Sequence, residues 1–192
     1  PGSRHVQYDA ISYSGMLLAN EACYGKKAIP AYLFNKAKTI VSLGADFLGT
    51  WLSPVEFTAQ YAENRRIKKE NPTLSKHIQF ESNLSLTGSN ADDRYMHKPS
   101  ETGNVALALL AKLGGAVTAP ALTDAKLQKG IEAAAAALNA SKGEALVVCG
   151  SNDANIQIIV NAINEAIGAN GTTINWAVTN NVAKGTDAEF VM

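Results

Sequence analysis

The sequence has little charge and no excess of either sign. Only 18% of its 192 residues are charged, and 17 Lys and Arg residues match 17 Asp and Glu residues. Nucleic acids and anionic membranes attract proteins through an excess of positive charge, which this chain lacks. No apolar run approaches the roughly 20 residues that a membrane-spanning helix needs. We therefore expect no nucleic-acid partner and no direct membrane span.

Cysteine is scarce as well. Cys23 and Cys149 are the only two in the chain, and they lie far apart. The three histidines, His5, His77 and His97, are scattered, and none has a second ligand at metal-binding spacing. An iron–sulfur cluster or a structural zinc site built from this chain alone is therefore not expected. Free cysteines of this kind are typically buried and inert, so we predict no metal ligands.

The sequence also lacks the short motifs that mark nucleotide-binding and hydrolytic sites. It contains no G-x-G-x-x-G, no Walker A sequence and no G-x-S-x-G elbow. A Ser-His-Asp triad stays open, because its members need to meet in space and not along the chain. We predict no catalytic residues.

Strand and helix patterns alternate along the chain. Short runs rich in apolar or β-branched residues, or alternating in polarity, predict strands at 5–9, 39–43, 77–81, 145–149 and 172–178. Apolar residues at helical spacing predict helices at 13–24, 53–69, 102–113, 124–139 and 153–167. A further short extended segment is expected at 94–98. This order predicts an α/β fold with a mainly parallel sheet and helices on both faces.

Local signals mark the starts of two of these helices. Ser53, Pro54 and Glu56 match a capping box with proline at the first helical position. Thr123 is placed to cap the helix that begins at residue 124. In parallel sheets, ligands bind outside the carboxyl ends of the strands. The loops 44–51, 82–93 and 150–153 are therefore the candidate site.

The segments around these loops resemble one family. Gly44-Ala45-Asp46-Phe47, the stretch 81–87, Ala91-Asp92 and the stretch 99–102 follow in the order of four phrases of the molybdopterin oxidoreductases. Those phrases run roughly G-x-N-P, D-P-R-x-T-x-T, A-D and P-G-T-D, and the spacing of seven residues from Asp92 to Pro99 is kept. The resemblance implies a Rossmann-like domain with a crevice for molybdopterin guanine dinucleotide. It implies the following cofactor-binding residues: Gly44, Asp46, Ser82, Asn83, Thr87, Gly150 and Ser151.

Three departures from the family pattern weaken that cofactor site. Asp46-Phe47 replaces asparagine-proline, which places a carboxylate where phosphate would approach. Glu81-Ser82-Asn83 replaces D-P-R and loses the arginine cation. Ser100 brings a β-carbon where the family has glycine. We therefore predict a degenerate or vestigial site, with no cofactor bound by this fragment.

The phrases at 44–51 and 77–83 are most similar to the molybdopterin-oxidoreductase-like iron–sulfur subunit of alternative complex III, a bacterial quinol:cytochrome c oxidoreductase. That resemblance implies iron–sulfur clusters elsewhere in the parent chain and partner subunits of a membrane-bound respiratory complex. It also implies a location at the periplasmic face of the bacterial inner membrane. The fragment itself would be a non-catalytic scaffold domain.

Two other functions stay open. The chain could be a fragment of a genuine molybdopterin oxidoreductase that still binds the dinucleotide, or a stand-alone small-molecule binding module. For domain organisation, residues 1–3 are typical of a cloning scar, and we expect 4–192 to form a single α/β unit excised from a larger subunit. If this unit divides, the boundary falls near 114–122.

Overall fold

The computed structural model describes residues 2–3, 6–7, 9–67, 69, 72–181, 183–185 and 187. The helices are α1 (Ser14–Tyr24), α2 (Pro54–Glu63), α3 (Leu86–Ser89), α4 (Thr102–Lys112), α5 (Ala125–Ala140) and α6 (Ala154–Ala166). The strands are β1 (Ile29–Tyr32), β2 (Thr39–Leu43), β3 (Lys76–Glu81), β4 (Asp93–Met96), β5 (Ala145–Cys149) and β6 (Ile174–Asn180). Short 3₁₀ turns occupy Phe34–Lys36 and Pro99–Glu101.

Four strands form a parallel sheet in the order β4-β3-β2-β5. Helix α5 packs on one face of the sheet, where its Gly130 lies against the ring of Tyr95. On the other face, Tyr61 of α2 packs edge-on against His77 of β3. Strands β2 and β5 are buried along their whole length, as expected for parallel strands covered on both faces. The predicted α/β fold with helices on both faces is confirmed.

The last strand does not join this sheet. Strand β6 pairs antiparallel with β1, and the two form a separate ribbon. The sequence predicted a strand at 172–178 but none at 29–32. Pro30 is the reason β1 is hard to recognise, because proline lacks a backbone N–H and is confined to edge strands. The register shifts between Pro30 and Ala31, where the pairing is irregular.

Two other predicted elements differ in the structure. Val6, Gln7 and Asp9 form no strand, and His5 and Tyr8 lie outside the described residues. Helix α2 ends at Glu63, well before the predicted end at residue 69. Lys68 lies outside the described residues. Arg65, Arg66 and Lys69 lie outside this helix, in the turns and the bend that follow it.

The predicted helix caps also need correction. The Ser53 side chain makes no cap hydrogen bond, because its backbone is not in the extended conformation of an N-cap (φ −129°, ψ 68°). Glu56 accepts a hydrogen bond from Gln60 Nε2 at 3.1 Å instead of completing a capping box. Helix α5 is capped by Asp124 and not by Thr123, since the Asp124 carboxylate accepts from the N–H of Lys126 at 2.7 Å.

The two cysteines have different environments. Cys149 is buried at the end of β5, and burial raises the pKa of its thiol to about 12, so it is inert. Cys23 is exposed, contrary to the expectation that both thiols are buried. It lies in the last turn of α1, where residues 21–23 face away from the core.

The outer edge of β5 is covered by side chains of α6 and of the turn that follows it. Asn164 accepts from the N–H of Val147 at 3.0 Å and donates to its carbonyl at 2.8 Å. Gln157 donates to the carbonyl of Cys149 at 3.0 Å, and Thr173 donates to that of Ala145 at 2.7 Å. These three polar side chains are almost fully buried. They take the place of a neighbouring strand and end the sheet at β5.

Asn164→Ala should destabilise the fold by about 2–4 kcal/mol, because the N–H and the carbonyl of Val147 would both be left buried without partners. The urea midpoint of unfolding measures the effect, with an unchanged m value indicating that the native fold persists. The matched control is Asn155→Ala on the exposed face of the same helix, which should change stability by less than about 0.5 kcal/mol. Equal effects of the two substitutions would contradict the edge-covering role.

Candidate functional site

A cavity of about 700 Å³ opens at the carboxyl ends of β2, β3 and β5, and we call it the carboxyl-end crevice. Six of the seven residues named from the sequence line it: Gly44, Asp46, Ser82, Asn83, Gly150 and Ser151. Thr87 is not part of the lining but is hydrogen-bonded to Asp46 behind it. The topology therefore brings the three loops together, as the carboxyl ends of adjacent parallel strands must.

A larger groove of about 970 Å³ lies at the opposite end of the sheet. It is lined in part by Lys38, Ser75 and Glu144, each of which directly precedes a strand. Ligands of parallel sheets bind outside the carboxyl ends of the strands and not at the amino ends. The carboxyl-end crevice is therefore the candidate functional site.

Asp46 lines the crevice and is half-buried. Its Oδ1 accepts from the N–H of Thr87 at 3.0 Å and from the Thr87 hydroxyl at 2.8 Å. The same hydroxyl oxygen accepts from the N–H of Leu48 at 2.9 Å. Gly49 permits this arrangement, because a β-carbon there would collide with the Asp46 carboxylate. Asp46 thus ties the loop after β2 to helix α3.

Glu81, at the end of β3, is the second carboxylate of the crevice and is 3% exposed. It forms a salt bridge with Arg94 of the neighbouring strand. It also accepts from the Ser85 hydroxyl at 2.6 Å and from Gln79 Nε2 at 3.2 Å. Helix α3 lies directly over it, and a β-carbon on Gly88 would collide with the carboxylate. The carboxylate is therefore fully occupied by partners from its own chain.

The ionisation of Glu81 follows from these contacts. Burial favours the neutral acid and would raise its pKa, but hydrogen bonds from Arg94, Ser85 and Gln79 lower the pKa below its usual value. Glu81 is therefore charged at neutral pH and paired. A carboxylate held in this way has no proton to donate and cannot serve as a general acid.

A line of buried polar side chains continues from Glu81 along β3. Gln79 Oε1 lies 3.4 Å from His77 Nε2, and His77 Nδ1 lies 3.1 Å from the hydroxyl of Tyr61. His77 and Gln79 are completely buried. Burial lowers the pKa of His77 to about 4, so its ring is neutral at pH 7. These side chains are buried and lie within hydrogen-bonding distance of one another, so they form a structural network.

Asp92 and Asp93, adjacent in sequence, point to different partners. Arg65 holds Asp92 through two hydrogen bonds of 2.7 and 3.0 Å, whereas Lys76 pairs with Asp93 at 2.6 Å. Burial opposes ionisation of Asp92, but the Arg65 guanidinium and the N–H of His77 lower its pKa below the usual value. The two aspartates do not share a proton.

Two helix starts beside the crevice are capped by the chain itself. Asp153 accepts from the N–H groups of Asn155 at 2.7 Å and Ile156 at 3.3 Å at the start of α6. Ser85 accepts from the N–H of Gly88 at 2.9 Å at the start of α3. Free N–H groups at a helix start form the usual binding site for phosphate. Here these groups already have acceptors from their own chain.

His97 was not recognised from the sequence as part of the site, but it lines the crevice. Its Nε2 lies 2.9 Å from the hydroxyl of Thr102, and this hydroxyl donates to the carbonyl of Pro99 at 2.9 Å. In the tautomer that fits this pattern, His97 Nε2 carries the hydrogen and Nδ1 carries a lone pair. Nδ1 is buried and has no hydrogen-bond donor among the described residues. Burial lowers the pKa of His97, which keeps the ring neutral.

Among the described residues, no group of three or more His, Cys, Asp or Glu side chains is arranged to hold a metal ion. Within the same part of the chain, no helix has both the length and the apolar character needed to cross a bilayer. No protein-family model and no curated protein sequence matches this chain. The function of this chain is therefore inferred from the geometry of the crevice.

The stability of the fold should rise with pH between about 4 and 6.5, in large part because of His77. The unfolded chain binds a proton at the usual pKa of 6.5, whereas folded His77 does so only at about 4. Since the unfolded state binds more protons in this window, stability is lost as pH falls through it, by roughly 3 kcal/mol in total. Urea unfolding of the wild type and His77→Gln at several pH values measures this loss.

His97, Glu81 and Asp92 change stability in the same direction, so the informative quantity is the difference between the two proteins. The variant should show a flatter pH dependence. A ring-proton NMR titration of the wild type provides an independent measurement, in which His77 should stay neutral down to about pH 5. A His77 titration near pH 6.5 would show that the ring is not held neutral by burial.

Proposed function

We propose that this chain is a non-catalytic scaffold domain of a respiratory electron-transfer subunit of the quinol:cytochrome c oxidoreductase type, with a degenerate molybdenum-cofactor site. One observation supports this most strongly. The described residues that line the crevice include the carboxylates of Asp46 and Glu81 but no Lys or Arg. A crevice of this composition does not fit a dinucleotide, whose two phosphates need positive charge or free N–H groups.

The charge of Asp46 disfavours phosphate in the crevice. Its carboxylate lies where the related enzymes have an uncharged residue, and like charges repel by about 4 kcal/mol at 4 Å in a partly solvated site. Glu81 adds little repulsion because Arg94 neutralises it. Arg94 in turn is paired with Glu81 and does not line the crevice. The Arg94 guanidinium is therefore unavailable to a phosphate.

The capped helix starts also disfavour a pyrophosphate. The N–H groups that Asp153 and Ser85 cap, at the starts of α6 and α3, are not free for a pyrophosphate. Displacing Asp153 would expose those groups only at the cost of an N-cap, about 1 kcal/mol. It would also leave a second carboxylate beside the phosphate. The Asp46 charge and the capped helix starts therefore both disfavour dinucleotide binding.

The assignment to a respiratory subunit depends on the sequence resemblance. Under it, iron–sulfur clusters lie elsewhere in the parent chain, and the domain packs against other subunits at the periplasmic face of the inner membrane. The α/β fold agrees with that family but occurs in many others. The role as a scaffold is therefore the part that the crevice itself supports.

The alternative function, a domain that still binds molybdopterin guanine dinucleotide, is favoured by the size of the crevice. About 700 Å³ is within the range of ligand cavities. A stand-alone module that binds an uncharged small molecule would use the same space.

Metal analysis and pterin fluorescence on the full-length subunit, purified from its natural host, test the proposal. We expect molybdenum and tungsten well below one atom per polypeptide and no pterin emission. Stoichiometric metal with a pterin would overturn the proposal and establish the dinucleotide-binding alternative.

The 192-residue chain allows a second measurement. A titration with guanosine monophosphate, followed by NMR, should leave the signals of Gly44 and Gly150 unchanged, because the probe carries the phosphate that the crevice disfavours. Asp46→Asn is the matched variant, since it removes the charge and keeps an acceptor for Thr87. Binding to the wild type would contradict the degenerate site.

A further inference from the structure

The carboxyl-end crevice contains a carboxylate oxygen that is incompletely satisfied. Asp46 is half-buried, and among the described residues its Oδ2 has one hydrogen-bond partner, the Thr50 hydroxyl at 3.4 Å, which is a long hydrogen bond. Since Oδ1 is saturated by Thr87, Oδ2 is the oxygen that can accept from a ligand. A carboxylate oxygen has room for a second strong donor.

His97, which directly follows β4, provides a second hydrogen-bond acceptor. Its residue is 8% exposed and lies in the crevice wall, and its Nδ1 has no donor among the described residues. A buried acceptor without a donor destabilises the protein, because it has lost its hydrogen bonds to water. A donor inserted from the crevice, with a small shift of the wall, would remove this destabilisation.

Three exposed apolar side chains lie in the wall of the crevice or next to it in the sequence. Leu84 is 66% exposed and Leu86 is 55% exposed, and both line the crevice. Met96, next to His97 in sequence and opposite Glu81 in the sheet register, is 61% exposed. We call these three residues the apolar rim. Large apolar side chains grouped around a polar depression are typical of protein–protein contact sites.

We propose that the carboxyl-end crevice and its apolar rim form a docking site for a partner polypeptide that inserts an arginine or lysine side chain, flanked by apolar residues, into the cavity that Asp46 and His97 line. The positive charge complements the net negative lining, and the N–H donors match the two acceptors. The flanking apolar residues cover the rim. A buried arginine with apolar neighbours is a frequent centre of binding energy in protein interfaces.

A polypeptide fits these observations better than a free small cation. A free amine or guanidinium would satisfy the acceptors but leave the apolar rim in water. The inference depends on the proposed function, because it assigns to the crevice the subunit contact that a scaffold domain requires. It gives a use for a crevice whose composition disfavours phosphate.

Short peptides test this inference on the whole 192-residue chain by NMR titration. The probes are acetyl-Leu-Arg-Leu-amide, its citrulline counterpart, in which the guanidinium is replaced by a neutral urea group, and argininamide, which has no apolar flanks. The arginine peptide should shift the signals of Gly44, Asn83 and His97. The citrulline peptide should bind about tenfold more weakly, the ratio that one charge-assisted hydrogen bond corresponds to.

Variants assign the effect to the two parts of the site. Asp46→Asn should abolish the preference for arginine over citrulline, whereas Asp93→Asn, which removes a charge paired with Lys76 outside the crevice, should preserve it. Leu84→Ser should weaken the arginine peptide and leave argininamide unchanged. His97→Phe, which keeps a ring but loses the acceptor, should weaken both.

Three results would overturn the inference: no binding of the arginine peptide, equal binding of the citrulline peptide, or equal binding of argininamide. Guanosine monophosphate distinguishes this failure from that of the proposed function. If the nucleotide binds at the crevice, the scaffold proposal fails. If neither the peptides nor the nucleotide bind, only the docking inference fails.

Discussion

Backbone groups buried at the edge of a parallel sheet must find partners, and in this protein they find them in one helix. Strand β5 has β2 on one side and α6 on the other. The carboxamide of Asn164 satisfies both polar groups of Val147, and Gln157 reaches the carbonyl of Cys149. These hydrogen bonds set the position and the rotation of α6 relative to β5. They therefore also set the positions of the elements that pack on α6.

The crevice depends on the same contact. Gln157 donates a second hydrogen bond, of 2.6 Å, to the carbonyl of Ser151, so the helix that covers the sheet edge also holds the loop after β5. Helix α1 then docks on this loop, where the N–H of Gly15 donates to Asn152 Oδ1 at 2.9 Å. One wall of the crevice is thus a consequence of how the sheet ends. Its shape does not require a ligand.

The sequence allowed strands β2 and β5 to be predicted because their signal is local. Both match their predicted bounds, since a buried strand is a short run dominated by apolar and β-branched residues. Strand β1 was missed because it is four residues long, contains Pro30 and pairs with a segment near the other end of the chain. No local pattern encodes such a pairing.

The site was predictable in its location and not in its chemistry. The rule that parallel strands present their carboxyl ends together was enough to place Gly44, Ser82 and Gly150 in one cavity. The partners of Asp46 and Glu81 were not predictable, because they depend on how α3 folds over the end of β3. The alternation of polar residues in β3 suggested a solvent-facing side. In the structure α2 covers that side, and His77 is buried.

The glycines of the crevice bear on the choice between a lost and a retained cofactor site. A β-carbon on Gly150 would collide with the carbonyl of Gly44, so the loops after β2 and β5 touch each other at this point. Gly44 in turn has a positive φ of 68°, which any side chain would make strained. Both glycines are therefore required by the backbone even if nothing binds. Their presence does not favour a retained dinucleotide site, whereas the carboxylates and capped helix starts disfavour it.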